Sequence, residues 1–356
     1  MKTLMKGNEA IAEAALQAGC RLFFGYPITP STEIPEYMAK KMKRVGGTFL
    51  QAESEVAAIN MVYGAAAAGE RVMTATSTPG FSLMQEGVSY IFAAELPVVI
   101  VDVMRHGPGL GGLGATQADY FQLTKGGGHG DYHPIVLAPA TVMEMVELTY
   151  LAFDLADEYR NPVILALEGI SGQMMEPVEF MPYRPKALPP KTWAATGIGD
   201  KPKVNIVSYV LANEAGELHN LHWAKKIERM RAAEQRYDTY RMDDAEFALV
   251  AFGISGRIAE SAVDILRAEG IRIGLFRPIS LWPFPTDGMR KYSRIRGWLS
   301  VELSAGQMVD DVRLTVGSGT PVHFFGRQGG MTPDPEDVAE AFKMALHNEL
   351  NAGGVR

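Results

Sequence analysis

Apolar residues over the first 185 positions fall into two alternating modes, one recurring every three to four residues and one nearly unbroken over a short run. The first mode predicts helices at 9–17, 32–42, 55–68, 81–94 and 142–159, and the second predicts strands at 22–24, 48–51, 71–75, 97–103 and 163–167. Ser31 and Ser54 stand where N-caps are wanted, and Gly19 and Gly69 stand where helices stop. Strands that are apolar throughout have no solvent face, which implies a parallel sheet covered by helices on both sides. In sheets of this kind, ligands lie beyond the carboxyl ends of the strands.

Residues 180–203 lose this periodicity and carry Pro182, Pro185, Pro189, Pro190 and Pro202, which predicts a domain boundary running across the surface. A polar helix at 223–240 follows. Strands at 247–252, 271–275, 298–302 and 322–325, with helices at 258–269 and 337–348, then predict a second, smaller α/β domain. The expected organisation is a first domain over 1–185, a proline-rich linker with a polar helix over 186–243, and a second domain over 244–356.

Thirty-four Lys and Arg against 41 Asp and Glu leave a net charge of -7, which argues against a nucleic-acid surface and against an anionic membrane. The basic clusters at 40–44 and 225–236 are interleaved at helical spacing and read as solvated faces. There is no run of 18 apolar residues, and polar Met1-Lys2-Thr3 leads toward a helix, so neither a membrane span nor a signal peptide is expected and the location is expected to be cytoplasmic. The single cysteine, Cys20, rules out an internal disulfide and a four-thiolate iron-sulfur cluster held by this chain alone. Its place between Gly19 and a strand reads as that of a small buried hydrophobe.

Candidate chemistry gathers at four strand-to-helix junctions. In Gly25-Tyr26-Pro27-Ile28-Thr29-Pro30-Ser31-Thr32-Glu33, two prolines bracket Thr29 and hold its hydroxyl at the end of a strand, as a site or as an ordinary turn. In Gln51-Ala52-Glu53-Ser54-Glu55-Val56, Glu55 falls in the first turn of a helix, where the dipole favours a carboxylate; it reads either as a capping acid or as a functional one, with Glu53 as fallback. Thr76-Ser77-Thr78-Pro79-Gly80-Phe81 forms the third junction. The fourth is Asp102-Val103-Met104-Arg105-His106-Gly107-Pro108-Gly109-Leu110-Gly111-Gly112, which formally contains GxGxxG but opens no clear helix. Arg105 at the end of a buried strand suits a bound anion, with a structural salt bridge as the alternative. His129-Gly130-Asp131-Tyr132-His133 lacks a second ligand cluster and is not read as a metal site, and neither a GxSxG elbow nor a phosphate loop occurs.

These four motifs resemble those of the α subunits of 2-oxoacid:ferredoxin oxidoreductases, and the resemblance covers nearly the whole chain apart from the linker. It implies a pyrimidine-type thiamine diphosphate-binding domain followed by a domain similar to the transketolase carboxyl-terminal domain, the latter on Gly274-Leu275-Phe276-Arg277-Pro278-Ile279-Ser280 and Val301-Glu302-Leu303-Ser304. It further implies that Glu55 hydrogen-bonds N1′ of the aminopyrimidine, favouring the imino tautomer that removes the thiazolium C2 proton. Tyr26, Pro27, Ile28, Ser77, Pro79 and Gly80 would line the cofactor, and Arg105 with Thr29 would bind the 2-oxoacid carboxylate. The Gly-Asp-Gly stretch with a later Asn that anchors the diphosphate has no match, since neither Gly199-Asp200-Lys201 nor Gly130-Asp131-Tyr132 fits. The resemblance thus implies a partner β subunit holding Mg²⁺, the diphosphate and iron-sulfur clusters, with further γ- and δ-type subunits, ferredoxin and coenzyme A.

The stretch from Met104 to Gly111 looks closer to the branched-chain 2-oxoisovalerate enzymes than to 2-oxoglutarate enzymes, which tend to carry Gly-Gly-Pro-Ser-Thr-Gly there; His106 departs from the usual glycine. The implied reaction is oxidative decarboxylation of a branched-chain 2-oxoacid to an acyl-CoA. Subunits of the 2-oxoglutarate or pyruvate enzymes, a non-catalytic scaffold subunit and a self-sufficient thiamine transferase remain as alternatives.

Overall fold

The computed structural model describes residues 2–197 and 203–353, without the side chains of 348–353. Gly199-Asp200-Lys201 lies outside the described residues. The chain begins with β1 (Thr3–Lys6) and α1 (Gly7–Gln17), so the polar start is a strand rather than a lead into a helix. It is followed by β2 (Leu22–Gly25), α2 (Glu33–Lys41), β3 (Thr48–Gln51), α3 (Glu55–Ala67), β4 (Val72–Thr76), α4 (Thr78–Ala93) and β5 (Val98–Met104). Next come α5 (Tyr120–Thr124), β6 (Ile135–Leu137), α6 (Val142–Tyr159), β7 (Pro162–Glu168), α7 (Gly169–Gln173) and β8 (Met175–Val178), the last pairing antiparallel with β1.

Every residue of β4, β5 and β7 is buried, which is why these strands read as unbroken apolar runs and stand in the middle of the first sheet. Edge strand β3 is largely exposed. The sheet order is β6-β7-β5-β4-β2-β3, all parallel, so the connections reverse direction between β2 and β4. A crevice at the carboxyl ends of the strands is expected at that reversal.

The second half comprises α8 (Asn213–Ala233), β9 (Tyr237–Tyr240), β10 (Phe247–Val250), α9 (Gly253–Ala268), β11 (Ile273–Pro278), β12 (Ser280–Trp282), α10 (Thr286–Arg290), β13 (Gly297–Glu302), α11 (Met308–Val316), β14 (Val322–Gly326) and α12 (Pro335–Gly353). Its sheet runs β14-β13-β10-β11-β9, with β9 antiparallel. The helix expected at 223–240 instead starts at Asn213 and ends at Ala233. Tyr237-Asp238-Thr239-Tyr240 forms a strand because β-favouring residues meet a partner: the Tyr237 ring stacks on Phe276 with centroids 4.8 Å apart. β12, also absent from the sequence pattern, leaves the second half and pairs antiparallel with β6 at the edge of the first sheet.

One core accordingly runs through both halves, from Ile100 and Leu165 to Trp282, Trp298 and Met308, with a smaller core between α9 and β10. The described part of the proline-rich segment crosses the surface of the first half, where Ala195 N–H donates to Ala67 O at 2.9 Å and the Arg160 guanidinium lies 4.4 Å from the Trp193 ring centroid.

Candidate functional site

Four loops meet beyond the carboxyl ends of β3, β2, β4 and β5. Ser54 caps α3 as expected, its Oγ accepting from Ala57 N–H at 3.1 Å, and this fixes Glu55 in the first helical turn. Glu55 is only 6% exposed, yet among the described residues its carboxylate has no hydrogen-bond or ion-pair partner. It leans across Gly80, where a Cβ would stand 2.6 Å from Oε1 and would also collide with Thr76 Oγ1. Only glycine leaves that gap open. Around it the buried hydroxyls of Thr74, Thr76 and Ser77 are also without partners. Helix α4 begins at Thr78, three residues before the expected start, so Pro79 and Gly80 belong to its first turn.

The loop after β2 leaves Tyr26, Pro27 and Thr29 exposed and Ile28 half-buried. Ser31 does not cap α2: its Oγ donates to Ile28 O at 2.7 Å, because the backbone at Thr32 is already helical and the hydroxyl satisfies the turn instead. Buried Asn8 holds the other side, donating to Pro30 O at 2.8 Å and to Glu33 Oε2 at 2.9 Å. Burial would raise the Glu33 carboxyl, but hydrogen bonds from Asn8, Gln173 and Lys6 outweigh it and hold Glu33 below the usual carboxylate range.

Arg105 and Thr29 come together, though through the backbone: Arg105 Nη1 donates to Thr29 O at 2.9 Å and Nη2 to Leu110 O at 3.3 Å. The guanidinium is buried, its Nε has no partner, and among the described residues no carboxylate pairs with it. The salt-bridge alternative therefore finds no acid. A buried cation without a counter-ion is costly, which makes the position suited to an incoming anion.

Asp102 and Asp119 form a buried pair that the sequence reading did not single out. Asp102 interrupts apolar β5 opposite Thr76, and neither of its oxygens meets an N–H or O–H donor. The group it faces is the Asp119 carboxyl, which can pair with it only if one of the two is protonated. Burial, reinforced by Asp119, pushes Asp102 well above the ordinary carboxylate range. Burial also raises Asp119, against hydrogen bonds from Thr78, Asp102 and Gln122. The signal for Asp102 was an acid inside an otherwise unbroken apolar run; Asp119 sits in a loop with no pattern.

Asp119 borders a cavity of about 640 Å³ between the two halves, together with Thr78, His106, Gln122, Ser304 and Gln307. Thr29, Glu33 and Gln173 border another of about 490 Å³. The His106 ring lies over Gly112 and Gly330, and a Cβ on Gly114 would stand 2.5 Å from Gly330 Cα, so the glycines allow the two halves to close on each other here. Buried Gln117 is the other clamp, donating to Glu168 Oε1 at 2.6 Å and Phe252 O at 2.9 Å while accepting from Ser255 Oγ and Leu303 N–H.

The remaining motifs have packing roles. His133 stacks on Trp282 with centroids 4.6 Å apart, His129 meets the Tyr90 ring edge-on, and among the described residues no cluster of three metal-ligating side chains occurs. Cys20 is fully buried, as its sequence position predicts, and burial pushes its thiol up to about 12. No helix among the described residues is long and apolar enough to cross a membrane.

The model of the thiamine diphosphate-binding domain of pyruvate flavodoxin/ferredoxin oxidoreductases matches residues 13–240, and that of core domain II of pyruvate:ferredoxin oxidoreductase matches residues 245–338. The chain belongs to this family of thiamine diphosphate-dependent 2-oxoacid oxidoreductase subunits. It is 49% identical to ketoisovalerate oxidoreductase subunit VorB of Methanothermobacter thermautotrophicus over 96% of this chain and 97% of that one. It is 40% identical to 2-oxoglutarate synthase subunit KorA of Archaeoglobus fulgidus over 87% of this chain and 90% of the other. Among solved structures it superposes on the 2-oxoglutarate:ferredoxin oxidoreductase of Magnetococcus marinus with TM-score 0.83 and 27% identity, covering 96% of this chain and 65% of that chain. A split-gene transketolase, at TM-score 0.61 and 15% identity, shares the fold.

Proposed function

We propose that the chain is the α subunit of a ferredoxin-dependent oxidoreductase that converts a branched-chain 2-oxoacid, 2-oxoisovalerate, to its acyl-CoA, with Glu55 as the catalytic acid and Thr29 and Arg105 binding the substrate. The observation that carries the proposal is a buried carboxylate after β3 and a buried guanidinium after β5, at the same carboxyl edge of one sheet and both without a counter-charge among the described residues. A purely structural acid or arginine would be paired. The 49% identity to a ketoisovalerate oxidoreductase subunit, against 40% to a 2-oxoglutarate synthase subunit, supports the branched-chain substrate.

The residues present fit the pyrimidine half of thiamine diphosphate: Glu55 is free to hydrogen-bond a ring nitrogen, Ser77 Oγ is unpartnered, Gly80 keeps the approach open, Pro79 lies in the first turn of α4, and Tyr26, Pro27 and Ile28 lie in the loop after β2, the strand between β3 and β4. Bound thiamine diphosphate supplies the electron sink that lets a 2-oxoacid lose carbon dioxide. Glu55 holds the proton at the ring nitrogen, and Arg105 grips the substrate carboxylate. The absence of a diphosphate motif in the sequence supports a β subunit that brings Mg²⁺, the diphosphate contacts and the iron-sulfur clusters, with γ- and δ-type subunits and ferredoxin completing the electron path. Exposed apolar side chains beside the site residues, Tyr26, Val56 next to Glu55 and Leu83 one turn beyond Gly80, support burial there by that partner.

The test is reconstitution with the partner subunits, followed by ferredoxin reduction with coenzyme A and each of 2-oxoisovalerate, 2-oxoglutarate and pyruvate. The branched-chain acid should give the highest kcat/KM, and the chain alone should bind thiamine diphosphate and Mg²⁺ only weakly. Tight binding by the isolated chain would refute the shared site, and preference for another acid would refute the substrate.

A further inference from the structure

We propose that Asp119 is a positioning residue for Arg105: through the Thr78 hydroxyl it fixes the backbone of Arg105 and hence the aim of the guanidinium. The inference rests on the reading of Arg105 as the ligand of the 2-oxoacid carboxylate.

Three observations carry it. Thr78 Oγ1 stands 3.0 Å from both the N–H and the carbonyl oxygen of Arg105, and it also touches Asp119 Oδ2. The hydroxyl has one proton, and a carboxylate attracts it more strongly than a carbonyl does. Thr78 therefore donates to Asp119 and is turned to accept the Arg105 N–H. The second observation is that Asp119 is itself held in place by Gln122 Nε2 at 2.8 Å, with the Asp102 carboxyl facing it from β5.

The third is that the segment bearing Asp119 is clamped by the second half of the chain. Tyr120 OH donates to Asp311 Oδ2 at 2.5 Å, Phe121 N–H donates to Gln307 Oε1 at 2.7 Å, and Gln307 Nε2 returns a bond to Ala118 O at 2.7 Å. The charged or titratable groups facing this relay are Asp102, Asp119, Arg105 and His106 on the cavity wall. Among the described residues the other hydrogen bonds of the Arg105 side chain go to carbonyls of two loops, at Thr29 and Leu110, while the relay ties its backbone, where it leaves β5, to the first turn of α4. A two-pronged guanidinium clamp loses much of its grip when misplaced by about 1 Å.

The experiment uses the reconstituted complex and measures kcat and KM for the 2-oxoacid in Asp119→Ala, Asp119→Asn and Thr78→Val. Asp119→Ala should raise KM about tenfold while changing kcat less, and Asp119→Asn, which keeps an oxygen for the Thr78 proton, should bring KM back to within about threefold of the parent. Thr78→Val should match Asp119→Ala, and the double variant should be no worse than either single one. If Asp119→Ala does not assemble, Thr78→Val against Asp119→Asn decides the same point. An unchanged KM in both Asp119→Ala and Thr78→Val, an Asn variant as poor as the Ala variant, or additive effects would overturn the proposal. Arg105→Lys separates the two readings: if it leaves KM unchanged, the assignment of Arg105 fails, and if it raises KM while the relay variants do not, only the positioning role fails.

Discussion

Glu55, the first residue of α3, and Glu302, the last residue of β13, are each a buried glutamate in a passage from a parallel strand to a helix. Their surroundings are opposite. Glu302 accepts from Ser300 Oγ, Ser304 Oγ and the N–H groups of Gln307, Met308 and Val309, all at 2.8–3.0 Å, and so saturates the amino terminus of α11. Glu55 stands at the start of α3 with no donor among the described residues. The arginines repeat the contrast, since Arg71 is held by Asp154 at 3.0 Å and Asp157 at 2.8 Å while Arg105 has no carboxylate partner among the described residues. Residue type is shared within each pair. What separates a structural charge from a charge kept for a ligand is whether its partners are already present.

The contrast can be broken most sharply at Glu55. Glu55→Gln keeps the shape and removes the acid, so turnover of the reconstituted complex should fall by about 10²–10⁴-fold while the melting temperature stays within a few degrees. Retained turnover would return Glu55 to the structural class. Glu302→Ala should do the reverse, costing about 3–5 kcal/mol in denaturant unfolding by stranding several buried donors. A loss under about 1 kcal/mol would mean that those five bonds do not hold α11 in place.

The acid pair gives a third test, through pH. The folded-state value of Asp102 is raised, so the folded protein keeps a proton that the unfolded chain releases near pH 4, and stability is fullest below that point and falls as pH climbs toward the folded-state value. Asp102→Asn should flatten that fall, making thermal melts of the variant less sensitive to rising pH above the ordinary carboxylate range than those of the parent. Parallel curves for variant and parent would show that Asp102 is ionised in the fold. The smallest effect belongs to Ser54→Ala, about 1 kcal/mol of stability from the lost cap of α3; no loss would mean that Glu55 is placed without it.

The alternation of helices and strands, and the burial of β4, β5 and β7, could be read from the sequence because each follows from a local period. The nearness of Glu55 to Gly80 and of Arg105 to Thr29 came into view once the strand ends were aligned on one edge. Other features depend on distant neighbours that no local pattern names. β12 is three residues long and is a strand only because β6 lies beside it. Ser31 has the composition of a cap but spends its hydroxyl on Ile28. Asp119 carries no periodic signal, and its meaning comes from Thr78, far earlier in the chain.

The crossing of β12 into the first sheet, and of β9 into the second, constrains how such a chain can be recombined. The two matched regions meet between residues 240 and 245, so a splice there that grafts one relative's front onto another's back entrusts each sheet's outermost pairing to a foreign sequence. Shortening the chain at the same point would bare the flank of β6, the kind of open strand on which chains aggregate. Chimaeras built to exchange substrate preference should therefore graft the loops after β2, β4 and β5 and leave the region from β9 to β12 to the recipient, since that region is where the two halves are interwoven.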